Sequence, residues 1–186
     1  MTEADRAAAG APTDARFRTA FARVERLIED RFGIPVIISD VPAPFTGDLD
    51  GAEIRVDHDL DAEDALFIVV HLFGHTVQWN VSPEARAIAT HPGPWDAAHL
   101  ATLRAYERQA CQYSLTLFHD AGVHDLDQWL ADFAACDYAY LEHVFTTGTK
   151  PPFRSFWQAG APPLEPLPVP AFTPTRWWNR WDGVVV

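Results

Sequence analysis

Two histidines four residues apart, His71 and His75, and a glutamate further along, Glu107, are the residues of this 186-residue chain best suited to chemistry. At i, i+4 on a helix, two imidazoles project from one face about one turn apart. Two neutral ring nitrogens can then reach one tetrahedral metal ion. The run that carries them, Leu66-Phe67-Ile68-Val69-Val70-His71-Leu72-Phe73-Gly74-His75, is apolar almost all round, which predicts a central, buried helix. One buried imidazole is routine, but two on one face both need partners. Hydrogen-bonded core histidines satisfy the same spacing, so the pair alone does not separate a metal ligand set from a packed core.

Glu107 sharpens the choice. It falls on the stripe Leu100, Leu103, Glu107, Ala110, Ser114, Leu117, whose three- and four-residue spacing makes it the buried face of a helix. A carboxylate there is costly without a cation. A metal held by the two histidines is one partner; an arginine is the other, with Arg104 and Arg108 close in sequence. Two histidines and one carboxylate leave a fourth position open for water, as catalytic rather than structural zinc sites do. The same triad can hold non-haem Fe(II); the helix context favours zinc.

A second carboxylate interrupts an apolar stripe in the next helix, which reads Leu126, Leu130, Phe133, Asp137, Tyr140, Val144. Asp137 has three readings: it orients a ligand histidine through its second ring nitrogen, it acts as a base, or it binds a core tyrosine or arginine. Tyr106 and Tyr113 flank Glu107, either as oxyanion-stabilising hydroxyls or as core aromatics. Cys111 reads as a packed thiol. His58, His91, His99, His119, His124 and His143 fall in loops, at helix ends or beside charges and receive no role.

The elements that must position these groups follow from caps and periodicity. An amphipathic helix is expected from about Asp14 to Arg31, ended by Gly33 and Pro35. Val36–Ile38 and Glu53–Val56 read as short strands, the second preceded by the Asp50-Gly51 turn signal. Asp61 caps the histidine helix, which should run to about Trp79, and 83–94 reads as a loop. Asp96 caps a helix from Ala97 to about Phe118, and a last helix spans roughly Asp125 to Phe145. The organisation expected is a flexible N-terminus over 1–12, a domain over 13–148, and an extended Pro/Trp-rich tail over 149–186. Its Trp177, Trp178 and Trp181 are explained by docking on the domain more simply than by ligand binding. The fold class is α+β, mainly helical with a small sheet.

Composition bounds the partners. Net charge is −12, which disfavours nucleic acid and anionic membrane, since both reward clustered Lys and Arg. The longest apolar run is too short to span a bilayer, and no basic segment followed by an apolar one opens the chain. The expected setting is therefore cytoplasmic. Cys111 and Cys136 do not form a disulfide framework. The sequence says nothing of oligomeric state.

Taken together, the motifs resemble the ImmA/IrrE type of zinc metallopeptidase. The likeness lies in Gly51-Ala52-Glu53-Ile54 before the motif helix, His71-Leu72-Phe73-Gly74-His75 on it, and Glu107-Arg108-Gln109-Ala110 with Tyr113 after it, over about residues 14–120. The resemblance implies a small zincin-like domain of gluzincin type, with His71, His75 and Glu107 as zinc ligands. The departure is at residue 72. The family has a glutamate there as the general base; this chain has Leu72, which cannot move a proton, and such a loss typically costs at least about 10²–10⁴ in rate. The expectation is a metal-binding, peptidase-like protein with little or no peptidase activity, acting by binding a peptide or protein. The alternative is an active metalloenzyme with altered chemistry and a relocated base such as Asp137.

Overall fold

The computed structural model describes residues 3–178, with side chains from Asp14 onward. Helix α1 (Glu3–Leu27) begins upstream of the expected Asp14 and widens into a π turn, Ile28–Phe32, before Gly33 closes it in the left-handed conformation (φ 66°). Its apolar face, with Phe17, Ala20 and Val24, packs on the main core, as does Ile28 of the π turn.

Three short strands follow: β1 (Val36–Ser39), β2 (Gly47–Leu49) and β3 (Ile54–Asp57). The order is β1-β3-β2, with β3 parallel to β1 and antiparallel to β2. The third strand, β2, was not expected. Gly-Asp-Leu is too short to show alternation, and all three of its residues are buried.

Helix α2 (Ala62–Val81) starts where the Asp61 side chain accepts the Asp64 N–H, and from Leu66 to Trp79 every residue is buried. It is the central element, contacting α1, α4, β2 and β3. The segment read as a loop is in part helical: α3 (Pro83–Ala89) is capped by Ser82, whose hydroxyl accepts from Ala85 N–H. The prolines misled the reading, because Pro83 occupies the first helical position, where no N–H donor is needed. Helix α4 (Ala97–Asp120) is capped by Asp96, and α5 (Asp127–Thr147) ends at Gly148 (φ 71°). The protein is α+β, mainly helical with a small sheet.

Beyond α5 the chain has one 3₁₀ turn, Phe153–Phe156, and otherwise no regular structure to residue 178. It lies on the domain. Leu164 is buried in the main core, and Trp157, Phe172 and Trp178 pack against it. Trp178 meets Trp79 at 4.2 Å between ring centroids, and Arg86 lies over Trp177 at 3.7 Å. Trp181 falls outside the described residues. No helix among those described is long and apolar enough to cross a membrane, and Cys111 and Cys136 are both free and buried.

Candidate metal centre

The cluster is made by α2 and α4 at their closest approach. Gly74 lies between the two histidines, and a side chain there would overlap the Ala110 backbone of α4. Without it the helices touch. Glu107, one turn before Ala110, is thereby brought onto the histidine face. Ser114 fastens the next turn of α4, its hydroxyl donating to Val70 O at 2.7 Å.

Three donor atoms converge. His75 Nε2 is 3.0 Å from both His71 Nε2 and Glu107 Oε2, and His71 Nε2 is 3.3 Å from Glu107 Oε2. His71 and His75 are 1% exposed and Glu107 5%, so water does not satisfy them. No arginine takes the carboxylate among the described residues. Arg104 pairs with Glu142 instead, and Arg108 is exposed.

The tautomer of His75 decides what the convergence means. Gln78 Nε2 donates to Tyr106 O at 2.8 Å and to Gln109 Oε1 at 2.9 Å, so its Oε1 must be the atom facing His75 Nδ1 at 2.9 Å. His75 Nδ1–H donates to that oxygen. In the neutral ring Nε2 then carries a lone pair, and it points at a carboxylate oxygen and a second imidazole nitrogen. Only a cation fits between them: a proton, or a metal. Donor atoms on a tetrahedral zinc at about 2.0–2.1 Å lie roughly 3.3 Å apart, close to the three edges found here. His71, His75 and Glu107 thus form a buried cluster that can hold a metal ion. The donor set fits zinc, and it is equally the two-histidine, one-carboxylate set of non-haem iron.

Electrostatics agree with a cation-seeking site. With a proton rather than a metal in the cluster, burial raises the Glu107 carboxyl, but His75 and then His71 outweigh it and hold it down to about 2. Asp137 goes the other way. Burial pushes it up to about 7, with His71 pulling it down and the charge of Glu107 opposing ionisation.

Of the three readings for Asp137, the one in which it holds a second ring nitrogen is not what the structure shows. Its Oδ2 lies 3.9 Å from His71 Nε2, on the same side as the other donors, and has no hydrogen-bond partner among the described residues. The Nδ1 of His71 instead faces Cys111 Sγ at 3.7 Å, a thiol that burial holds well above its ordinary range. Tyr106 stacks on His75 at 4.6 Å, and its hydroxyl accepts from Trp79 Nε1 at 2.8 Å, so it is already engaged. Tyr113 packs in the main core, and no bond joins it to the cluster among the described residues. Leu72 is fully buried and turned toward β2, where its Cδ1 lies against Gly47.

Gln78 was missed from the sequence, although a signal existed. A polar residue three positions after His75, on a helix expected to be buried, had to serve some buried partner.

No protein-family model matches the chain, and neither a curated protein nor a solved structure does.

Proposed function

We propose that the protein binds one zinc ion through His71 Nε2, His75 Nε2 and Glu107 Oε2, in a zincin-like domain of the ImmA/IrrE type. On this reading it lacks ordinary peptidase activity and acts by holding a peptide or protein. The observation that carries the metal is the meeting of three lone-pair donors in a dry site where, among the described residues, no arginine reaches the carboxylate. A zinc ion held there would supply Lewis acidity. The chain's own residues do the rest. Gln78 keeps the proton of His75 on Nδ1 and so leaves Nε2 free to ligate, and Tyr106 fixes the ring plane from one side. Leu72, packed on Gly47, offers no group that could accept a proton.

The placement of Asp137 favours a second reading, an active metalloenzyme of altered chemistry. Its Oδ2 has no hydrogen-bond partner among the described residues and lies 3.9 Å from a ligand nitrogen, and its carboxyl is lifted to about 7, in the range a general base needs. In that reading Asp137 Oδ2 accepts the proton of an attacking water.

Metal analysis of protein purified without chelator tests the first step. About one zinc or iron per chain is expected, with loss in His75→Ala and Glu107→Ala; a metal-free wild type that takes up neither ion overturns both readings. Peptide hydrolysis assays then separate them. Activity confined to Leu72→Glu marks an inactive wild-type site, whereas wild-type activity lost in Asp137→Asn marks Asp137 as the base.

A further inference from the structure

Apart from the cluster, α4, α5 and residues 161–164 of the tail enclose a half-open hollow of about 320 Å³. That is the small end of the range that ligand sites occupy. Its origin lies in the sequence of α5. Ala131, Ala134, Ala135 and Ala139 fall at i, i+3, i+4 and i+8, so one helix face carries mostly methyl groups. Methyl groups do not fill the space, and the Tyr138 ring, Pro162 and Leu164 complete the apolar walls. The tail wall is fixed on both sides. Asp132 Oδ1 accepts the Gly160 and Ala161 N–H groups at 2.9 and 2.8 Å, and Gln112 Nε2 donates to Glu165 O at 3.0 Å. Neither histidine of the cluster nor Glu107 lines the hollow.

Three charged groups do line it, and two of them cancel. Arg104 of α4 is paired with Glu142 of α5. Arg108, one turn further along α4, is exposed and makes no hydrogen bond or ion pair among the described residues. Its helix neighbours three and four residues away are Arg104, Ala105, Cys111 and Gln112, none of them acidic. The hollow therefore holds one uncompensated guanidinium beside an apolar wall. Arginine stays cationic throughout the working pH range, and its planar fork matches a carboxylate with two parallel bonds. A cationic ligand would be repelled, a dianion would meet Glu142 on the same wall, and a neutral hydrocarbon would leave the fork unused. We propose that this hollow binds a monocarboxylate with a compact branched hydrocarbon body, its carboxylate on Arg108 and its body among the alanines, Pro162 and Leu164. A free acid and the C-terminus of a peptide both supply that chemistry.

Three probes test it: 4-methylpentanoate, N-acetyl-leucine and N-acetyl-leucinamide, titrated calorimetrically into chelator-treated protein at neutral pH and low salt. The first presents the carboxylate as a free acid and the second as a peptide terminus, while the third keeps the same body without the charge. At least one acid should saturate and bind about fivefold or more tightly than the amide. Raising the salt to about 0.3 M should weaken the acid and leave the amide unchanged. The tighter acid names the source. Arg108→Gln, at an exposed position, should bring the acid to the amide's affinity while the amide still binds, which shows that the hollow is intact. Glu142→Gln frees Arg104 for the carboxylate and should tighten the acid. Ala135→Phe, which fills the hollow, should abolish binding of all three. Absence of saturable acid binding to wild type, or equal acid affinity in wild type and Arg108→Gln, overturns the proposal. Because metal is withheld throughout, the result does not depend on whether the cluster takes up zinc.

Discussion

Gly74 and Ala110 bring two helix backbones into direct contact: a β-carbon on Gly74 would occupy the space of the Ala110 carbonyl group. The obstacle is backbone, not the end of a flexible side chain, so relief requires moving a helix. Gly74→Ala should therefore destabilise the protein by about 1–3 kcal/mol. It should also displace Glu107, one turn away, from His71 and His75 and weaken zinc binding. Urea unfolding in chelator gives the first quantity and competition against a chromophoric chelator the second. Wild-type zinc affinity in a destabilised Gly74→Ala would mean that the contact is packing alone.

Gln78 links His75 to α4 by accepting from the ring and donating to Tyr106 O and Gln109. Gln78→Leu leaves the His75 Nδ1–H without an acceptor and frees the ring to change tautomer. Partners of this kind typically matter 10–100-fold in metal affinity, and a loss of about that size is expected. Gln78→Glu keeps an acceptor at the same place and should retain more of the affinity. Titrating the three proteins with zinc decides it; equal affinities would remove Gln78 from the site.

Asp137 makes the stability of the fold depend on pH. Its carboxyl rises from 3.8 to about 7 on folding, chiefly through burial. The folded state then binds a proton more tightly than the unfolded chain, so stability from this group is full at acid pH. It is lost as pH rises from about 4 through 7. In chelator, Asp137→Asn should match wild type near pH 4 and exceed it at pH 8 by roughly 1–3 kcal/mol. Bound zinc, a cation close to the ionised carboxylate, should shrink or reverse that gain. Denaturant unfolding at both pH values, with and without zinc, measures all four quantities.

The sequence made some of this legible and hid the rest for physical reasons. Asp61 and Asp96 announced α2 and α4 because capping is a local interaction, and both caps are formed. Glu107 stood out because a carboxylate on an apolar stripe demands a partner. The strand β2 has only three residues and borrows its order from β3, so no local pattern marks it. The direction of Asp137 was hidden for another reason. Which nitrogen of His71 it faces depends on how α5 docks, a tertiary outcome that spacing along one helix cannot carry. Likewise, a leucine beside His71 is plain from sequence, but its packing on Gly47 needed the sheet in place.

The turn between β2 and β3 anchors the tail through Asp50, and two substitutions there should separate the contributions. The Asp50 carboxylate is 3% exposed; it accepts the Ala52 and Glu53 N–H groups at 2.8 and 2.9 Å and pairs with Arg176 at 2.5 Å. Its backbone carbonyl accepts the Trp177 N–H at 2.7 Å. Asp50→Ala strips two backbone donors of their acceptor and should cost about 2–4 kcal/mol. Asp50→Asn keeps an oxygen for the turn and loses only the charge opposite Arg176. Because the Arg176 side chain is 61% exposed, water already screens that pair, and the loss should stay below about 1 kcal/mol. Arg176→Ala in the wild-type background should cost as little. Equilibrium unfolding of the three variants checks the ordering; a large effect of Arg176→Ala would show that the ion pair, not the turn, holds the tail.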